Sequence, residues 1–590
     1  MIADSTSDGD ERAATTREQD GHWEAVIRLP NVPVHSHLLP NGKVLFWGRR
    51  VDLKGDMDQQ QCDVYLLDPN TAETHKVSSP TLPDESPVNL FCSGHALLAD
   101  GRLFVAGGHL TDGHGVNQAS LYDWEHDAWT PLPPMNHGRW YPTVTLLADG
   151  GVLVTSGTFA EGAGPVQLND VPQIWSAETG WRSLNGEVLS LYPRMHVLAN
   201  DRVFVAGTDP VSHVLDPRSG EWSSAPNRAN GDRQYAPAVS YAPGKIIYIG
   251  GGNDPPTNVP TARSEIIDFD ENNAAWQATM PMSQPRRQHN ATVLPDGTVL
   301  VTGGTKGGGF DGGFNDLGPG QPVHEAELWS PSNGHWTPLA AEAEDRCYHS
   351  TALLLPDGRV LSAGGGEYNP NGNPIRAEDV HTSAQIFNPP YLFRGARPII
   401  DGAPVQAEYG TDVVIRCSGA PPLRATLVKP GSVTHSLDTN QRCVELKLAT
   451  NGKQATLTLP ANSAICPPGF YMMFLLSAEG VPSVAHFIRL ERPAADTVTF
   501  AANSQSANKP SLADRDRRIE AEARGPKVVI GLTSRCPYGL AACWGGAYQT
   551  LRTLSGVGAV KAVANADDST AEVFLRDNAP PDIDGWIATF

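Results

Sequence analysis

Four short phrases bring together residue types that can hold a metal ion. Cys92 stands in LFCSGHALLADG, Tyr141 in GRWYPTVTLLADG, Tyr348 and His349 in RCYHSTALLLPDG, and His435 in THSLDTNQR. Two imidazoles and a phenol oxygen make a nitrogen- and oxygen-rich donor set of the kind that square Cu(II) favours, whereas a structural zinc site would draw more thiolates. Each residue also has an ordinary reading. A buried cysteine is usually a small core hydrophobe, a strand tyrosine packs between sheets, and a loop histidine is satisfied by its neighbours. The joint occurrence of the five favours chemistry.

Something must bring residues 92, 141, 348, 349 and 435 to one place, and the chain carries a repeat that can. An apolar stretch, a turn usually of the (D/N)G type, a β-rich run and closing glycine recur seven times, starting at His37, His95, Thr143, Met195, Ala238, Ala291 and Thr351. A spacing of 43–60 residues suits a four-stranded blade whose turn closes an inner hairpin. Six tryptophans, Trp23, Trp129, Trp181, Trp222, Trp276 and Trp336, fall where an outer strand packs against the next blade. The pattern resembles kelch repeats, and it predicts an all-β, seven-bladed kelch-type β-propeller over residues 20–385. Four of the five candidate residues lie on loops that such a propeller can converge at one face, and His435 lies beyond it.

With NPPYLF and PSVAHFIRL further on, the four phrases resemble the copper-radical oxidases of the galactose oxidase/glyoxal oxidase type, over residues 20–492. The resemblance implies a role for each position. Tyr141 is the radical-bearing tyrosine, Cys92 the cysteine joined to its ring by a thioether, and Tyr348 the axial tyrosine. Tyr141, Tyr348, His349 and His435 are then the ligands of one copper ion. It also implies that an alcohol or aldehyde is oxidised by O2 with release of H2O2. Galactose oxidase stacks a tryptophan over the cross-link; here that segment reads SGTFAEG, leaving Phe159 as the nearest aromatic and making galactose an unexpected substrate. GRWYPT and LYPRMHVL look more like glyoxal oxidase. Arg194 is either the family's substrate-facing arginine or an arginine on a blade edge, and Trp140 either lines the pocket or points between blades.

The repeat stops after Gly366. Alternating strands with proline-rich turns predict an Ig-like β-sandwich over residues 386–495, followed by a linker over 496–524. Residues 525–590 read as strand, helix, strand, strand, a small ferredoxin-like α+β domain. In it Cys536 and Cys543 sit where heavy-metal-associated domains place a CxxC pair, but wider apart; they are either a Cu(I) site or turn and core cysteines.

The chain has 590 residues and a formal net charge of −21, which disfavours nucleic acid or an anionic membrane as partner. No apolar run is long enough to span a membrane, and the first twenty residues lack the basic and apolar regions of a secretory signal. As written the sequence implies a cytoplasmic monomer, whereas the family resemblance implies an extracellular or periplasmic enzyme. The competing function is a non-catalytic kelch propeller that binds carbohydrate or protein and needs none of the five residues.

Overall fold

The computed structural model describes residues 16–531 and 551–575, apart from 52–60, 83, 162–163, 253–258, 271–272, 309–314, 368–378, 440, 492–525, 552–553, 555 and 565–568. Cys536, Cys543 and the helix expected beside them lie outside the described residues.

Seven sheets follow one another along residues 22–388, each built on an antiparallel meander of strands in chain order. The second is typical: Gly94–Leu97, Leu103–Ala106, Ala119–Asp123 and Ala128–Pro131 pair successively, the first innermost. Inner strands are buried along their length because both faces of each blade meet another blade. The seventh blade takes its outer edge from the chain start. His22–Trp23 and Ile27–Arg28 pair with Ser383–Asn388, so the ring closes by joining its two ends.

Five of the six repeat tryptophans bind their blade to the one before it. The indole N–H groups of Trp129, Trp181, Trp222, Trp336 and Trp23 donate to the carbonyls of Ser78, Pro133, Asn185, Met280 and Ala340, at 2.6–3.0 Å. Trp276 makes no such bond and packs against Phe204.

After the propeller, residues 398–491 form an eight-stranded sandwich with its own apolar core around Ile415, Leu427, Leu457 and Tyr471. One of its excursions enters the propeller. Strand Ser432–Thr434 adds to the innermost strand of the first blade, with His35 opposite Thr434 and His37 opposite Ser432. The chain then reverses through His435 and Ser436, both at positive φ (46° and 61°), and returns as Leu437–Asp438. This is a two-residue hairpin with left-handed residues at both tip positions, a conformation that suits sheet twist and that Asn-Gly usually supplies. Lys527–Gly531, Val557–Ala564 and Ser569–Leu575 make a final three-stranded antiparallel sheet with Ser569–Leu575 in the centre.

The segment joining the sixth and seventh blades is pinned by a titratable pair. His324 Nε2 lies 2.8 Å from Asp345 Oδ1, and its Nδ1 donates to the Glu342 carbonyl at 2.9 Å. The hydrogen bond to Asp345 raises the His324 imidazolium to about 9. Because the folded value lies above the ordinary 6.5, this stabilisation is complete below pH 6.5 and is lost as pH rises through 9. After discounting for partial exposure it amounts to about 1–2 kcal/mol. Melting temperatures measured from pH 6 to 10 should show the native chain falling toward His324→Gln above pH 9, with a constant gap counting against the pair.

Candidate active site

Each innermost strand enters its blade from the same end of the ring, so the residues just before it gather at one face. At six of these entries the residue one to three positions before the strand has a left-handed backbone: Cys92 (φ 60°), Tyr141 (65°), Tyr192 (45°), Tyr235 (51°), Gln288 (63°) and His349 (67°). None is glycine, and each such conformation costs about 1–2 kcal/mol relative to the right-handed one. Such strain persists only where surrounding packing over-determines it, and it collects at functional sites.

Buried arginines hold several of these entries. Arg139, Arg233, Arg286 and Arg346 each stand two residues before Tyr141, Tyr235, Gln288 and Tyr348, and each is at most 1% exposed. Their guanidinium groups donate to backbone carbonyls of Ser156, Arg263, Gly303 and Gly364, at 2.7–3.0 Å. Arg233 and Arg286 are also paired with buried Glu265 and Glu327. The sequence reading missed this spacing, although Arg-x-Tyr recurs at 139–141, 233–235 and 346–348.

The structure brings all five candidate residues together. Tyr141 and Tyr348 share a hydrogen bond between their hydroxyls. The His435 ring lies 4.6 Å from that of Tyr141, 5.5 Å from Tyr348 and 4.7 Å from His349, centroid to centroid. Cys92 is buried in the same apolar cluster as Tyr141, and its carbonyl accepts the Tyr141 backbone N–H at 2.9 Å.

The two imidazoles are prepared as ligands. His349 Nδ1 lies 2.6 Å from the Gly366 carbonyl, which can only accept, so Nδ1 carries the proton and Nε2 a lone pair. His435 Nδ1 lies 2.6 Å from Thr434 Oγ1, whose hydroxyl donates to the Val34 carbonyl; His435 therefore donates too and has the same tautomer. Both Nε2 atoms are buried without a hydrogen-bond partner. Burial pushes His349 down to about 3 and His435 well below its ordinary range, the latter helped by the neighbouring His349 and His35. Two neutral imidazoles with orphaned nitrogens beside two phenols fit a copper ion, and the Nδ1 partners are the outer contacts that orient such ligands. Thr434→Val should therefore weaken copper binding roughly 10–100-fold without unfolding the chain. Competition with a chelator checks this, and native affinity in the variant would remove Thr434 from the ligand's support.

The rings around Tyr141 differ from the sequence expectation. Trp140 stacks on it at 3.8 Å with planes 10° apart, and Tyr192 lies 4.5 Å away at 29°. Phe159, expected as the aromatic over the cross-link, stacks instead on His137 at 4.5 Å. Tyr141 has positive φ and precedes its strand, so the alternation that would send Trp140 and Tyr141 to opposite sides does not apply. Arg194 is 2% exposed, and its Nε and Nη1 donate to the carbonyls of Ala236 and Tyr192. It ties the fourth blade's entry to the fifth and is neither on a blade edge nor open to solvent.

Three more buried histidines stand behind Cys92. His35 Nε2 accepts the Cys92 N–H at 3.0 Å, so His35 is protonated on Nδ1 and donates to His95 Nε2 at 3.0 Å. His95 must then donate from Nδ1 to Ser432 Oγ, 2.7 Å away, and His37 Nδ1 reaches the same hydroxyl at 2.8 Å. This chain holds the strained Cys92 backbone.

The chain resembles known proteins in sequence and in fold. A galactose oxidase-like early set domain model matches residues 397–490. A galactose oxidase of Gibberella zeae is 30% identical, over 80% of this chain and 70% of its own. The chain belongs to the galactose oxidase-like copper-radical oxidases. An aldehyde oxidase, GLOX, of Vitis pseudoreticulata is 28% identical over 80% of this oxidase and 97% of its own chain. A fungal alcohol oxidase of the AA5 family, solved in complex with copper, superposes with a TM-score of 0.70 at 25% identity, covering 80% of this chain and all of that one.

Proposed function

We propose that this oxidase binds one copper ion through Tyr141, Tyr348, His349 and His435, and joins Cys92 to Tyr141 by a thioether. We further propose that it converts small aldehydes or primary alcohols with O2 to acids or aldehydes and H2O2. The observation that carries the reading is the pair of orphaned Nε2 atoms beside the Tyr141–Tyr348 hydroxyl pair. When bound, copper supplies a one-electron acceptor and a Lewis acid next to the phenols.

The chain's own residues do the rest. Forming the link removes one hydrogen from the Cys92 thiol and one from the Tyr141 ring, and O2 takes both as H2O2. The sulfur donates electron density into the ring, which makes Tyr141 easier to oxidise. In turnover Tyr348, which a bound copper ion would hold as its phenolate, accepts the substrate hydroxyl proton as general base, and oxidised Tyr141 takes the hydrogen from the adjacent carbon. Overall, RCH2OH and O2 give RCHO and H2O2; a hydrated aldehyde, RCH(OH)2, gives RCOOH by the same two-electron loss. Trp140 and Tyr192 cover Tyr141 and limit its contact with water.

The GRWYPT and LYPRMHVL phrases support a glyoxal oxidase-like preference, and Arg194, bonded to the Ala236 and Tyr192 carbonyls, becomes a positioning residue. Among the described residues no helix is long and apolar enough to cross a membrane, and we place the site of action outside the cytoplasm, as the family resemblance implies. A screen of copper-loaded protein for peroxide release with glyoxal, methylglyoxal and simple primary alcohols tests the reading. No peroxide from any of them would overturn the substrate class.

A further inference from the structure

The C-terminal sheet is too small to bury an apolar face by itself. Yet Leu551, Ala571 and Val573 are fully buried. Among the described residues the cover comes from the propeller: Leu168, Val188 and half-buried Leu191 join Leu551, Val560 and Val573 in one apolar cluster.

Two of these propeller residues, Leu168 and Leu191, adjoin the rings around Tyr141. Leu168 pairs with Thr158, and Thr158 exchanges backbone hydrogen bonds of 2.8 and 2.9 Å with Trp140. Leu191 immediately precedes Tyr192 and packs against the cluster containing Cys92, Trp140, Tyr141 and Tyr192. One leucine thus belongs to both the core of the C-terminal sheet and the wall of the active site.

We propose that the C-terminal unit is a resident cap of the active site. By docking on Leu168, Val188 and Leu191 it fixes the two segments that hold Trp140 and Tyr192 against Tyr141, and so keeps water from that ring. The part of the proposal that concerns radical lifetime rests on the reading of Tyr141 as the radical residue. The contact itself does not.

Full-length Leu168→Asp and Val560→Asp place a charge on either side of the contact, and Val529→Asp, on an exposed position of the same sheet, is the control. Three readouts apply: amide exchange across residues 527–575, oxidative footprinting of Trp140 and Tyr192 in copper-free protein, and the half-life of the tyrosyl radical signal in copper-loaded protein. Both contact variants should exchange roughly tenfold faster over 527–575, label Trp140 and Tyr192 more heavily, and lose the radical severalfold sooner; the control should match the parent. Release of the unit with unchanged labelling and half-life would overturn the cap. So would contact variants in which the unit stays docked. If the parent shows no radical while the variants still uncover Trp140, the assignment of Tyr141 fails and the cap stands.

Discussion

Cys92→Ala should lose oxidase activity by on the order of 10³-fold or more while still binding copper. The sulfur is not among the four ligand atoms, so the donor set survives, but Tyr141 loses the substituent that makes its ring easy to oxidise. For a one-electron couple about 59 mV corresponds to a factor of ten, so a thousandfold loss needs a rise of only about 180 mV in the Tyr141 potential. Cys92 is fully buried between His35 and Tyr141, and alanine removes little volume there. Melting temperature should change little. The check is peroxide release at matched copper content. A variant that retains activity within tenfold would show that the thioether is not the electronic device assigned here.

Tyr348→Phe should lower kcat by roughly 10²–10⁴-fold, the usual contribution of a positioned general base. KM should move much less. The phenylalanine ring keeps the stacking on His349 (3.8 Å) and the edge contact with Tyr235 (5.6 Å), so the loss is confined to the hydroxyl that meets Tyr141. The Cys92–Tyr141 link should still form, which separates this variant from Cys92→Ala. A Tyr348→Phe enzyme of native kcat would require another base and would contradict the role given to Tyr348.

Much of this architecture is written in local signals. The hairpin turn at the head of each repeat and the outer-strand tryptophans each state a short-range preference, and the sheets follow them. The five candidate residues were legible as a set because four stand at the start of similar phrases. The rest depends on backbone turns that carry no sequence label. His435 reaches the site on a two-residue hairpin built from His-Ser, where Asn-Gly would have announced the turn. Trp140 covers Tyr141 because a left-handed residue breaks the alternation of neighbouring side chains, which the sequence could not reveal. Arg194 reads in sequence either as substrate-facing or as a blade-edge residue, and its neighbours' carbonyls draw it inward. The docking of the C-terminal sheet on Leu168 and Leu191 joins residues nearly 400 positions apart, with no periodicity to signal it.

The most direct test is peptide mass spectrometry of protein loaded with copper in air. The account predicts one species in which the Cys92 and Tyr141 peptides are joined with the loss of two hydrogens, absent when copper is withheld and absent from Cys92→Ala. If copper binds at His349 and His435 and the two peptides remain separate, the radical cofactor proposed here does not form. The propeller would then be a metal-holding or ligand-binding scaffold.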